Sequence, residues 1–284
     1  ALDSNSEVDV DCGDRCDARC TLGDACGEGS DCESTLCDNT EVSPRCVAEP
    51  RATLVEIDAL PEDALPYAAY YDESGLGVRV LGRTSTSGVE EAAVFALGEN
   101  GEWSGPDTSG LLPSIRVEAA VAHDDVSNAA PRTWVYGGRY KSTLLADFWH
   151  WDGSSWAEVV ATSQPASLQG AGLAYDDQVS RLVLFGGDDG LGPGTEDWSL
   201  SWGSSGPAGD WTPLTGLVDA RYGAPGAYDL VSSNLGTGGV VSVAGSAAST
   251  QTMLHQGCEW ADVGPLGGVV AKRLGHQLVY NPKR

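Results

Sequence analysis

The chain has 284 residues, 41% of them hydrophobic, enough for a sizeable core, and a formal charge of −25. A surface this acidic repels nucleic-acid backbones and anionic membranes, which argues against both as direct partners. No run of 18 apolar residues occurs, so no direct membrane insertion is expected.

Residues 1–50 read as one module. It holds seven cysteines (Cys12, Cys16, Cys20, Cys26, Cys32, Cys37 and Cys46) among few large apolar residues. A stretch so small cannot build a hydrophobic core, so disulfides are expected to staple it, each contributing about 2–4 kcal/mol. Zinc is the competing reading, but structural zinc sites favour CxxC pairs and this spacing has none. Seven is odd, and the eighth cysteine, Cys258, lies far downstream. It either pairs with the odd member or stays free. Asp3, Asn5, Glu7, Asp9 and Asp11 alternate, with Asp14 twelve places along from Asp3, a rough echo of a calcium loop. Val8 stands where such a loop needs glycine, so a solvated acidic strand is expected. Calcium is the alternative there, and no other cofactor is expected.

The segment EVDVDCGDRCDARCTLGDACGEGSDCESTLCDN (7–39) resembles the cysteine-rich modules of secreted and surface proteins of myxobacteria. Asp9 to Gly13 match the DVDCGG start and Asp31-Cys32 the central pair, while Asp14 replaces the second glycine. The resemblance implies an exported protein, extracellular or at the outer cell surface, and three lysines against thirteen arginines suit a GC-rich bacterial genome. The upstream cysteine of that family does not occur, so Ala1 is expected not to be the native N-terminus; a mature chain would also have lost a signal sequence.

Residues 51–284 carry a repeat. AAYYD (68–72), VAHDD (121–125), LAYDD (173–177), GAYDL (226–230) and LVYNP (278–282) set Tyr70, His123, Tyr175, Tyr228 and Tyr280 apart by 53, 52, 53 and 52 residues. A period near fifty signals a repeat architecture. Within each unit an apolar run ends in glycine: VRVLG (78–82), TWVYGG (133–138), LVLFGG (182–187) and VVSVAG (240–245). A third apolar segment follows, at 94–98, 148–153, 198–203 and 252–257, and then a lone tryptophan: Trp103, Trp156, Trp211 or Trp260. Each segment is short, rich in Val, Leu, Tyr and Trp, and bounded by turn residues, so each reads as a strand.

These features resemble the kelch β-propellers, whose blades carry a Tyr-Asp turn, a double glycine after the second strand and a tryptophan near the fourth. The resemblance implies an all-β, kelch-type β-propeller after the small disulfide-rich module. Four complete four-stranded blades fall at about 61–113, 114–163, 164–215 and 216–267, with an incomplete closing blade at 268–284. Residues 51–57 are a candidate closing strand, and truncation is the preferred account of the missing strands. The first and fourth units depart from the family with Gly82-Arg83 and Gly245-Ser246, which puts those turns in doubt. One blade cannot cover both its faces, so stacking buries them in series. Trp156 and Trp211 are accordingly assigned to packing, and replacing either by alanine is expected to cost about 3–5 kcal/mol.

The central mouth is the expected functional surface. Seven residues before each aligned Tyr or His lie Asp63, Arg116, Leu168, Arg221 and Arg273. A partial ring of Arg116, Arg221 and Arg273 suits carboxylates or sulfates, and Arg83 and Arg139 follow the glycine turns on the same face. The structural alternative pairs each arginine with an aspartate of a neighbouring blade, such as Asp125 or Asp176. Catalysis is not expected: His123, His150, His255 and His276 are scattered, unlike the gathered ligands of copper oxidases. The sialidase SxDxGxTW signature, GxSxG and HExxH are missing too. The chain therefore reads as a non-catalytic binding protein for a protein or anionic glycan, with a role as a subunit of a larger extracellular assembly as the alternative.

Overall fold

The computed structural model describes residues 37–38, 45–46, 59–62, 64–72, 77–98, 100–124, 132–176, 179–203, 206–207, 209–214, 220–224, 226–229, 239–243, 252–256 and 259–262. The chain forms two compact units, Ala1–Glu56 and Ile57–Arg284, a division six residues beyond the expected one at residue 50. The segments 51–57 and 268–284, expected to close the ring of blades, lie outside the described residues.

In the first unit, β1 (Cys37–Asp38) pairs antiparallel with β2 (Arg45–Cys46), which sets Cys37 opposite Cys46. Cys46 is buried and disulfide-bonded. Cys12, Cys16, Cys20, Cys26 and Cys32, the acidic positions Asp3, Asn5, Glu7, Asp9, Asp11 and Asp14, and Cys258 of the second unit are outside the described residues.

The second unit is all-β. Its first sheet runs β3 (Ala68–Asp72), β4 (Gly77–Thr86), β5 (Val89–Leu97) and β6 (Trp103–Asp107). The second comprises β7 (Ala120–Asp124), β8 (Arg132–Tyr136), β11 (Phe148–Trp151) and β12 (Trp156–Glu158), with a small hairpin of β9 (Arg139–Tyr140) and β10 (Thr143–Leu144) between β8 and β11. The third has β13 (Gly172–Asp176), β14 (Arg181–Phe185), β15 (Asp197–Gly203) and β17 (Thr212–Leu214), with β16 (Gly206–Pro207) also paired to β15. The fourth is β18 (Gly226–Asp229), β19 (Gly239–Val243), β20 (Thr252–Gln256) and β21 (Glu259–Asp262). Each is an antiparallel meander lying inside one sequence repeat, and among the described residues no sheet closes on itself.

Apolar side chains join neighbouring sheets in series. Ala68, Tyr70 and Leu81 of the first sheet pack on Val135, Trp149, Trp151 and Trp156 of the second. Trp134, Tyr136 and Phe148 of the second meet Tyr175, Leu184, Trp202 and Trp211. Val183 and Phe185 of the third meet Met253 and Trp260 of the fourth. Aromatic rings fill these gaps because they supply the most apolar area per residue. Tyr70 lies 4.7 Å from Trp151 and 5.2 Å from Trp156, and Tyr175 stacks 4.8 Å from Trp134.

The double glycines are required by backbone geometry. Gly137 and Gly138 have φ of +59° and +93°, and Gly186 and Gly187 repeat this at +62° and +94°, a region that side-chain-bearing residues rarely enter. Gly138 and Gly187 each donate across to the next repeat, to Leu168 O and Arg221 O, both at 2.7 Å. In the first sheet, where Arg83 replaces the second glycine, the chain does not turn. β4 instead runs straight on from Gly77 to Thr86 and pairs with β5 as a long ribbon.

Candidate functional site

The arginines expected to form an exposed ring do not do so where they are described. Arg116 is 1% exposed. Its Nη1 and Nη2 grip Asp147 bidentately at 2.9 and 2.6 Å, Nη1 also donates to Gly137 O, and Nε and Nη2 donate to Ser114. Arg221 is likewise 1% exposed, and its carbonyl receives Gly187 N–H. Arg116, buried in this way, is a packing and hydrogen-bonding element, and Arg221 is equally buried, so neither stands on an exposed ring. Arg273 lies outside the described residues. The aspartate suggested as a structural partner also differs. Arg116 takes Asp147, the residue just before β11 in its own repeat, while Asp176 lies 3.7 Å from Arg181.

Burial pushes the Asp147 carboxyl up, but the hydrogen bonds and charge of Arg116, with Trp149 Nε1 at 2.6 Å, outweigh it and hold the group below its ordinary range. Asp197 goes the other way: burial raises it, and the bond from Trp260 Nε1 at 2.9 Å, with one from its own backbone, only partly offsets that. His150 is pressed against Trp134 and Trp202, and burial lowers its pKa to about 4, so it is a neutral packing residue at ordinary pH. Among the described residues no group of three or more His, Cys, Asp or Glu is placed to hold a metal ion, and no helix is long and apolar enough to cross a membrane.

Arg83 is joined through Glu90 to the β9–β10 hairpin, whose first residue is Arg139. Arg83 pairs with Glu90, which also accepts Tyr140 Oη at 2.8 Å and lies 3.5 Å from Lys141 Nζ. That joins the β4–β5 ribbon to the β9–β10 hairpin. Leu144 Cδ1 lies 3.6 Å from where a side chain on Gly190 would begin, which brings the 188–194 loop against the same hairpin. Asp188 Oδ1 accepts Gly190 N and Gly192 N at 2.7 and 3.0 Å, and Asp189 Oδ1 accepts Leu191 N at 2.9 Å. These turns fix a loop whose tip, Leu191, is 93% exposed. Val89, 66% exposed, stands at the tip of the β4–β5 ribbon.

Arg139 belongs to a group whose other members, Glu118, Gly170 and Tyr222, carry no signal of their own in the sequence. Glu118 Oε2 accepts Arg139 Nε at 3.0 Å, and the Glu118 carboxylate also acts on the hydroxyl of Tyr222, whose pKa is pushed up to about 12 by burial first and then by that carboxylate. The Tyr222 ring occupies the space that a side chain at Gly170 would need. Gly170 N donates to Glu118 O at 2.8 Å, and Gly223 N to Gly170 O at 2.7 Å. Residues 118, 170 and 223 are one repeat apart, so equivalent points of three successive repeats are linked by backbone hydrogen bonds. The clue in the sequence was the same period, applied to a backbone position where the side chains share no chemistry.

Arg132 is a second position the sequence reading passed over. It pairs with Asp124, donates to Tyr175 Oη at 3.1 Å and lies over the Trp134 and Tyr175 rings at 5.4 and 5.2 Å. It thereby stitches the second sheet to the third.

No protein-family model matches the chain, and no curated protein matches it at a significant level.

Proposed function

We propose that this protein is an exported, non-catalytic binding protein. On this reading the second unit is a kelch-type β-propeller, and the rim carrying its glycine turns recognises a protein or glycan outside the cell. The observation that carries the reading is the interlocked rim. Three loops from successive repeats follow one another in series: the Arg83–Glu91 ribbon is bonded to the β9–β10 hairpin, the 188–194 loop approaches that hairpin at Leu144, and Val89 and Leu191 stand out to solvent. An exposed leucine on a loop already fixed by its own hydrogen bonds loses little conformational entropy on docking, which is what a recognition surface requires. The propeller is supported by the series of apolar contacts from sheet to sheet and by the hydrogen bonds linking equivalent repeat positions. Export is supported by the bonded Cys46 in a cysteine-dense module.

The test is to probe immobilised panels of extracellular proteins and oligosaccharides with the purified chain, beside the Leu191→Asp and Val89→Asp variants. Selective binding by the parent chain, weakened in either variant, is the expected outcome. Turnover of a glycoside or oxidation of an alcohol by the purified protein would sink the non-catalytic reading. Binding indifferent to both loop tips would remove the rim.

A further inference from the structure

One backbone position is held in the left-handed region in all four repeats. Leu65, Glu118, Gly170 and Gly223, spaced 53, 52 and 53 residues apart, have φ of +32°, +57°, +61° and +65°. Glycine adopts this conformation freely, whereas a residue with a Cβ is strained there. Two repeats use glycine. Glu118 keeps a carboxylate at the strained position without gaining apolar burial for it, since its side chain is 36% exposed. Strain retained at an exposed polar residue points to a use other than folding.

The neighbours of Glu118 define that use. Arg139 Nε and the Tyr222 hydroxyl converge on its carboxylate. Tyr222 reaches it because Gly170, the equivalent residue of the next repeat, leaves the space open. Asp188 acts electrostatically on Tyr222 and exchanges both backbone hydrogen bonds with Gln169, the residue before Gly170. The Oε1 of Gln169 is buried with no hydrogen-bond partner among the described residues. Carboxylate, guanidinium and phenol thus meet here, Gln169 and Asp188 adjoin them through the backbone, and all five residues keep some solvent exposure.

We propose that Glu118, Arg139, Gln169, Asp188 and Tyr222 form a binding site for an uncharged saccharide. The inference rests on the reading of this chain as a binding protein and narrows its ligand. An anionic glycan would meet the negative charges of Glu118 and Asp188. A cation would have to compete with Arg139, which already holds Glu118 at 3.0 Å. Hydroxyl groups both donate and accept, so they suit a group of residues that sets carboxylate and amide acceptors beside guanidinium and phenol donors.

The experiment measures binding of the full chain to a panel of neutral gluco-, galacto-, manno- and xylo-oligosaccharides, with sialylated and sulfated oligosaccharides alongside, and repeats it for Glu118→Gly and Tyr222→Phe. Melting temperature is recorded for each. A neutral oligosaccharide should bind, and Glu118→Gly should weaken it at least tenfold while leaving the melting temperature unchanged or higher, because glycine relieves the strain. Tyr222→Phe, which keeps the ring, should weaken binding less. Preference for the anionic set, no binding of any neutral member, or neutral binding equal in Glu118→Gly and the parent would each overturn the site. A lower melting temperature in Glu118→Gly with unaltered binding would show the Glu118–Arg139 pair to be structural. Protein binding through Leu191 with no neutral saccharide bound would overturn this inference and leave the binding-protein reading standing. Turnover of the bound saccharide would overturn the non-catalytic reading instead.

Discussion

The gap between the second and third sheets and the gap between the third and fourth are built to one plan and filled with different chemistry. In the first, Phe148 lies opposite Tyr136, and both rings pack on Trp211, at 5.4 and 5.9 Å. In the second, Asp197 lies opposite Phe185, and the tryptophan of the next repeat, Trp260, packs on Phe185 at 5.1 Å while its Nε1 donates to Asp197. A phenylalanine in one gap thus stands where the other has a buried carboxylate. The repeat dictates where a large ring must enter but not what it meets. The apolar version is indifferent to pH, whereas the carboxylate version gains a directed hydrogen bond and takes on a titratable group in a dry place.

The largest effect should come from emptying the apolar gap. Trp211 is 2% exposed, and Trp211→Ala should destabilise the second unit by about 3–5 kcal/mol, read as a shift in the urea midpoint. A loss below about 1 kcal/mol would mean that the ring does not bridge the sheets. Next comes Arg116→Leu, which copies Leu168 of the following repeat. It leaves Asp147 half-buried without its cation and should cost about 3 kcal/mol. Adding Asp147→Asn should recover part of that loss, since the stranded charge is then removed. Equal stability of the single and double variants would break the assignment of Arg116 to a structural pair.

Much of this plan was legible in the residues. The Tyr and Trp period located four sheets, and the tryptophans assigned to packing, Trp156 and Trp211, are buried between sheets. The paired glycines announced a turn that needs positive φ, and their loss at Arg83 marked where the chain runs on as a ribbon. The period overreached at His123, which aligns with Tyr70 and Tyr175. Those tyrosines are buried against neighbouring tryptophans, while the imidazole is exposed and bonds Thr133. A polar ring at that position gains more from water than from the gap. The fate of Arg116 was not legible because its partner, Asp147, lies 31 residues away, just before β11, and spacing alone does not say which way a side chain turns. Glu118 escaped notice for another reason: what the repeats share there is a backbone angle, and Leu, Glu, Gly and Gly show no common pattern.

Two smaller substitutions sharpen the contrast between the gaps. Trp211 Nε1 is buried with no hydrogen-bond partner among the described residues, so Trp211→Phe forfeits area alone. Trp260→Phe also strands Asp197. Its cost should exceed that of Trp211→Phe by about 1–2 kcal/mol at neutral pH, the cost of leaving a buried acceptor unbonded. Equal costs would mean that the Asp197–Trp260 bond contributes nothing.

The smallest effect, and the most diagnostic, belongs to Asp197→Asn, because the amide oxygen still accepts from Trp260 while the charge is gone. Burial raises the Asp197 pKa above the ordinary aspartate value. The folded state therefore holds the proton more tightly than the unfolded chain does. The stabilisation linked to that proton is fully present below the unfolded pKa, about 3.9, and is lost as pH rises through the folded pKa. Asp147 behaves oppositely: its pKa is lowered, so its contribution is present above the unfolded value and lost as pH falls through the folded one. The stability of Asp197→Asn relative to the parent should accordingly rise as pH increases from the unfolded pKa upward and then level off, whereas that of Asp147→Asn should fall as pH climbs towards the unfolded value and stay low above it. Denaturant titrations of both variants from pH 3 to 7 separate the two. Parallel pH profiles would mean that buried Asp197 and half-buried Asp147 share one electrostatic environment, and that the carboxylate in the second gap titrates no differently from one paired with an arginine.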